Sequence, residues 1–412
     1  MTSRAMPRSR HAPPARWPEP TWADGMAHVA PGGWPQAMSA RAQRDVARVA
    51  RALPLGLSRA FYAEVRLHGR DDQADVSIAV ARDARDSWRT WLRDAPAQAT
   101  LAPRHCAWRT IASLLDDWAA DHALDRDIAH LWLEFDRPPA RGGHVAASAP
   151  SCFVGLASHV SQSPDSLLAM ATRLDPSMSV ATSAARRATC ARAPACSRER
   201  ALARVLGALP AGISVGQLGF LLGRDVSTPI RLCLAGIHLG ALDDTLAALG
   251  VPAVGLQPAL HALLREPGAP QLDYVDIDVA DDVLPRVGVE LRFDRRTQAL
   301  GRLHEATWLQ RMVCAGLASA GWANALAGWP AGRRVVMPHQ LWPSVAVRRL
   351  NHVKLTWQDG AFHQAKGYCL LRFDDAPSCR HGPVPSASSD PVRSLRHHST
   401  IRSPDVLPTF PA

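Results

Sequence analysis

AFYAEVRLHGRDDQADVSIAVAR, residues 60–82, holds two short runs of alternating or β-branched apolar residues separated by a polar, Gly- and Asp-containing turn. Two such runs joined this way read as a β-hairpin. Just before it, residues 39–53 carry Ala, Val and Leu at helical spacing with Arg on the opposite face, and Pro54 closes the helix. A helix followed by a hairpin is therefore the first unit.

The same order recurs along the chain. Helical stretches at 84–94 and 105–122 precede IAHLWLEFD (128–136), a Pro- and Gly-rich connection, and SCFVGLA (151–157). Helical stretches at 164–174 and 197–209, with a low-complexity segment at 177–195 between them, precede GISVGQLGFLLG (212–223) and TPIRLCLAGI (228–237). Helices at 239–249 and 257–265 lead into LDYVDIDVAD (272–281) and PRVGVELRFD (285–294). A helical region at 297–327, with Gly316 as its candidate break, leads into a last hairpin at 345–357 and 363–373. Five hairpins preceded by helices make an α+β chain of five αα-ββ units. The units share no sequence, so the repeat is one of elements.

Composition bounds what such a chain does. At 412 residues with 47% hydrophobic content it has ample material for a core, and residues 38–375 read as one domain between a basic leader (1–37) and a tail (376–412), both expected to be disordered. Much of the net charge of +10 lies in those ends and in loops, so a clustered nucleic-acid stripe is not visible. No apolar run is long enough to span a bilayer, and the leader lacks the apolar centre of a secretory signal. Eight cysteines are sparse; Cys233, Cys314 and Cys369 lie in apolar runs as small buried hydrophobes, which favours a reducing, cytoplasmic setting. Cys190 and Cys196 have no CxxC or paired-His spacing around them, so no metal site is expected, and no cofactor motif occurs. Asp71, Asp72 and Asp75 spell DDxxD, but between two strands they read as a turn.

Side chains alternate across a strand, so each parity can be followed separately. Tyr62, Glu64 and Arg66 share a face opposite Phe61, Val65 and Leu67; His130, Trp132, Glu134 and Asp136 oppose Leu131, Leu133 and Phe135. Tyr274, Asp276 and Asp278 oppose Val275, Ile277 and Val279, and Glu290 and Arg292 oppose Val289, Leu291 and Phe293. His352, Lys354 and Thr356 oppose Val353, Leu355 and Trp357; Lys366, Tyr368 and Arg372 oppose Cys369, Leu371 and Phe373. The helices cover the apolar face. The polar one then faces bulk water, in an open antiparallel sheet covered by helices on one side, or the lumen of a ten-stranded antiparallel barrel with outer helices. All three tyrosines of the chain, with Trp132, fall on it, which suits a ligand.

Over residues 39–374 this order and polarity resemble the barrel-type aromatic prenyltransferases. The resemblance rests also on Lys366-Gly-Tyr368, which matches a Lys-x-Tyr pattern, and on WLEFD, which places Glu134 much as that family's Glu-Phe-Ser strand does; no strand carries a full Arg-x-Lys-x-Tyr. It implies transfer of an allylic prenyl group from an isoprenoid diphosphate to an aromatic or peptide acceptor. Glu134 would take the acceptor's proton. Arg66, Arg231, Arg292, Lys354, Lys366 and Arg372 would hold the diphosphate, and Tyr62, Trp132, Tyr274 and Tyr368 would shield the allyl cation. Two other readings stand beside it: a noncatalytic protein of natural-product biosynthesis that binds a small molecule or peptide on the same face, and a basic nucleic-acid-binding protein.

Overall fold

Each helix-then-hairpin stretch folds as its pattern dictates. The computed structural model describes residues 20–29, 34–68, 74–93, 106–136, 150–175, 197–222, 229–265, 269–293, 304–336 and 344–375. Ser39 caps the helix Ala40–Ala52, its hydroxyl accepting the Ala42 N–H at 3.1 Å, and Ser163 with Pro164 opens the helix Pro164–Leu174. Gly316, at φ +72°, separates the helices His304–Cys314 and Ala320–Ala327.

The strands are β1 (Ala60–Arg66), β2 (Ala74–Ala81), β3 (Ile128–Phe135), β4 (Ser151–Leu156), β5 (Ser214–Phe220), β6 (Ile230–Ala235), β7 (Gln271–Val279), β8 (Val283–Arg292), β9 (Ala331–Val335), β10 (Ser344–Gln358) and β11 (Ala361–Asp375). They form one antiparallel sheet in the order β11-β1-β2-β3-β4-β5-β6-β7-β8-β10-β9, and β11 pairs with β10 as well as with β1. Strand β11 therefore joins the first hairpin to the last, and the ten strands other than β9 close into a barrel. The open sheet is excluded by these hydrogen-bonded pairings, which run from Ala60↔Arg372 to Arg66↔Lys366 on one side and through Lys354↔Lys366 on the other. Asp359 and Gly360, both at positive φ, make the tight β10–β11 turn that sets this register.

Closure separates two environments. Outside, Phe61, Val65, Leu131, Leu133, Ile277, Val289, Leu355 and Leu371 meet Trp118, Leu167, Leu260 and Trp308 of the helices in one continuous apolar core. Inside lie two small separate clusters, Tyr62 with Tyr368 and Leu370, and Phe153 with Cys233 and Tyr274, each touching Trp132.

Four expectations change. The leader boundary at residue 37 falls too late, because Trp22 on the helix Trp22–Ala27 is buried against Phe61 at 5.3 Å and Trp34 stacks on Trp329 at 5.7 Å. Their spacing in a Pro-rich stretch gives no period to read. Strand β9 was not foreseen; it is short, carries exposed Arg333 and Arg334, and pairs only with the part of β10 beyond the end of β8. Cys314, read as buried, is exposed at the end of its helix, whereas Cys152, Cys233 and Cys369 are buried. Asp75 is not a turn residue but lies in β2, buried. The low-complexity segment 177–195 with Cys190, the tail 376–412, and Asp71 and Asp72 lie outside the described residues, as does Cys196.

Replacing a large core ring by a methyl typically costs about 3–5 kcal/mol. Trp22→Ala is expected to lower the unfolding free energy by about that much, measured by urea denaturation, which a leader residue outside the core would not do.

Candidate functional site

The lumen is built by the polar parity of nearly every strand, and its contents divide along the barrel axis. Toward one end the chain places rings. Tyr62 and Trp132 meet edge to face at 5.0 Å, and His352 stacks on Tyr368 at 3.9 Å. These rings, with Phe153, Tyr274, Cys233 and Gln217, surround a cavity of about 100 Å³ that Arg292, Glu134, Glu290 and Lys354 also line. Strands β4 and β5 leave room for the rings by carrying glycine. A Cβ at Gly155 would lie 2.3 Å from the His130 ring, and one at Gly216 would lie 2.6 Å from the Tyr274 ring. The rings rest on bare backbone.

Further along the axis the lumen is charged. Arg231, Arg286, Lys354 and Lys366, with Glu134, Thr356 and Tyr368, line a second cavity of about 20 Å³. Lys354 and Lys366 are directly opposed across β10 and β11, an arrangement of like charges that is unfavourable unless anions intervene. Carboxylates on β1, β7 and β8 intervene here. Lys366 donates to Glu64 of β1; Lys354 donates to Asp276 of β7 and, at 3.2 Å, to Glu290 of β8. Gly288 lets Lys354 and Asp276 meet, since a Cβ there would lie 3.0 Å from both. Arg231 holds Asp278 through two hydrogen bonds of 2.7 and 3.0 Å, and Arg292 holds Asp273.

These contacts set protonation. Burial pushes the Glu64 carboxyl up, but the charge and hydrogen bond of Lys366, aided by the Tyr368 hydroxyl, more than reverse it and hold Glu64 at about 2. Burial, followed by the charges of Asp136 and Glu64, pushes Glu134 well above the usual carboxylate range despite the lysines nearby. Burial pulls His352 down to about 3, so its imidazole is neutral. Asn351 approaches His352 Nδ1 at 2.9 Å, an arrangement in which the amide donates and Nε2 keeps the ring proton. Trp132 Nε1 is buried with no hydrogen-bond partner among the described residues. Among those residues no group of three or more His, Cys, Asp or Glu side chains could hold a metal ion, and no helix is long and apolar enough to cross a membrane.

Of the residues singled out in the sequence, Tyr62, Trp132, Glu134, Tyr274, Arg292, Lys354 and Tyr368 line the aromatic cavity, and Arg231 and Lys366 line the charged one. Arg66 and Arg372 line neither. Arg66 ends β1 half-buried, and Arg372 pairs with Asp374 at 2.6 Å. The sequence reading passed over Phe153 and Arg286. Strand β4 is apolar on both faces, so its parity carries no signal; Arg286 shares the parity of Glu290 and Arg292 and was legible by extending it.

No family model and no curated protein matches the chain. Several solved structures do. The prenyltransferase PriB, in a ternary complex with L-tryptophan and dimethylallyl thiolodiphosphate, aligns with 16% identity and a TM-score of 0.43 over 83% of this chain and 94% of its own. The 5-dimethylallyl tryptophan synthase from Streptomyces coelicolor aligns with 14% identity and a TM-score of 0.43 over 86% and 94%. The 6-dimethylallyltryptophan synthase from Micromonospora olivasterospora aligns with 14% identity and a TM-score of 0.40 over 82% and 84%.

Removing one partner of a buried ion pair typically costs about 3–5 kcal/mol. Lys366→Ala is expected to destabilise the protein by about that amount at neutral pH. Glu64 is ionised in the fold well below its ordinary 4.5, so its contribution is present above that value and is lost as pH falls toward about 2. The gap between the wild type and Lys366→Ala therefore narrows across that window, as read by urea denaturation at neutral and acidic pH.

Proposed function

We propose that the lumen transfers an allylic prenyl group from an isoprenoid diphosphate to an aromatic or peptide acceptor. One observation carries this reading: Glu134, Lys354 and Tyr368 line both cavities, so a buried acid, a cation and a phenol stand where a ring-lined space meets a charged one. The donor's diphosphate belongs on the side of Lys354, Lys366, Arg231 and Arg286, and its allyl group and the acceptor belong among the rings.

The chemistry balances around Glu134. As the carbon–oxygen bond breaks, its electron pair leaves with the diphosphate, whose oxygen takes the Glu134 proton while Lys354 and Lys366 stabilise the departing charge. The faces of Tyr62, Trp132, Phe153, Tyr274 and Tyr368 hold the allyl cation and keep water from it. The acceptor ring supplies the electrons of the new carbon–carbon bond, and the proton lost from the attacked ring carbon returns to the Glu134 carboxylate. Glu134 must begin protonated, which its raised pKa provides.

A second reading is favoured by a different observation. Lys354, Lys366, Arg231 and Arg292 already face carboxylates, which suits a noncatalytic lumen that binds an uncharged aromatic molecule or peptide segment.

Calorimetry with dimethylallyl diphosphate separates the two. Prenyl transfer requires binding that weakens about tenfold or more in Lys354→Ala and in Lys366→Ala. No binding, or binding indifferent to both changes, leaves the noncatalytic reading. With an accepted ring substrate, Glu134→Gln is expected to keep donor affinity while turnover falls about 10²–10⁴-fold. Wild-type turnover should fall as pH rises through the raised Glu134 pKa, because the protonated form starts the reaction.

A further inference from the structure

We infer that Glu64, Asp276 and Asp278 are specificity-determining residues that set the charge of the ligand the lumen accepts: each occupies a cation that an anionic ligand would otherwise take. The inference concerns the same lumen as the proposed transfer but holds whether or not that reaction occurs there.

Three features of the geometry support it. The pairs are complete on three separate strands of cations. Glu64 takes Lys366, Asp276 takes Lys354 with Glu290 as a second acceptor, and Asp278 takes Arg231 at both its oxygens. With the pairs formed, the space among those cations is about 20 Å³, room for a single water, so a diphosphate seated there, the proposed donor's included, must first part a pair. The carboxylates also stand on strands of the barrel wall, Glu64 on β1 beside β11 and Asp276 on β7, one strand beyond the β8 that pairs with β10, so they are not swept out by a mobile loop. An anion bearing two or more charges must therefore displace a carboxylate and leave it without its counter-ion in a low-dielectric interior. A neutral ligand enters the ring-lined cavity with every pair intact.

The directly opposed Lys354 and Lys366 show what removal of one carboxylate would do. Without Glu64 the two ammonium groups face each other with a single set of acceptors on the Asp276 side, and the charge deficit falls on the small cavity. An anion is the natural remedy. Glutamine at position 64 keeps the shape and a hydrogen-bond acceptor for Lys366 while removing the charge.

The probe is inorganic pyrophosphate, titrated calorimetrically into the full chain. Wild-type protein is expected to bind it weakly, Glu64→Gln to bind it at least about tenfold more tightly, and the double variant Glu64→Gln/Lys366→Met to lose that gain. Asp276→Asn is a second, independent variant, expected to gain in the same direction through Lys354. Near-ultraviolet circular dichroism identifies any variant that has lost its packing, and the conclusion is read from those that have kept it. Equal pyrophosphate affinity in wild type and both folded single variants would overturn the inference, as would a gain that persists in the double variant. Failure of the prenyl reading shows elsewhere, as an absence of dimethylallyl diphosphate binding and turnover by the wild-type chain. The pyrophosphate ratio between wild type and Glu64→Gln does not depend on that result.

Discussion

The pairing of β11 with both β1 and β10 is the constraint on which the other features depend. Ala60 meets Arg372 and Arg66 meets Lys366, contacts between the first strand and the last. Hydrogen bonds of a strand edge otherwise go to water or to another chain, and closure satisfies them internally. It also forces every strand to choose a face. The apolar parity goes outward under the helices and the polar parity goes into the lumen, where each charge must find a partner because little water remains to solvate it.

That demand explains the arrangement of the lumen. Cations that project from β6, β8, β10 and β11 are matched by carboxylates on the next strand or, for Lys354 and Asp276, across β8, and glycines at positions 155, 216 and 288 remove the side chains that would keep rings and charges apart. Segregation follows along the axis, with rings about one cavity and charges about the other, and Glu134 in both linings. A carboxyl held between aromatic surface and other acids keeps its proton, while one that touches an ammonium group loses it. Glu134 and Glu64 thus have opposite protonation within one lumen.

Much of this was legible from alternation. Reading FYAEVR, HLWLEFD, VDIDV and HVKLTW by parity places Tyr62, Trp132, Glu134, Tyr274 and Lys354 on one surface, and all of them line the cavities. Where a strand is apolar on both sides parity is silent, and Phe153 was missed for that reason. Trp22 was missed because a short helix in a Pro-rich stretch has no period. Arg66 and Arg372 have the right parity, but Arg66 ends β1 and Arg372 lies opposite the first residue of β1, and parity does not say how far along the axis a residue sits.

Element order, the hairpins and the residues that share a face follow from local periodicity and turn chemistry and can be read from the chain alone. Closure of the sheet and the pairing of the cations emerge only in the folded barrel. Both depend on contacts between residues distant in sequence: Glu64 meets Lys366, and Asp276 meets Lys354. A list of Arg, Lys and Tyr on one face reads as an anion site until those partners are known. With them in place, the same face is a lumen whose charges are balanced from within.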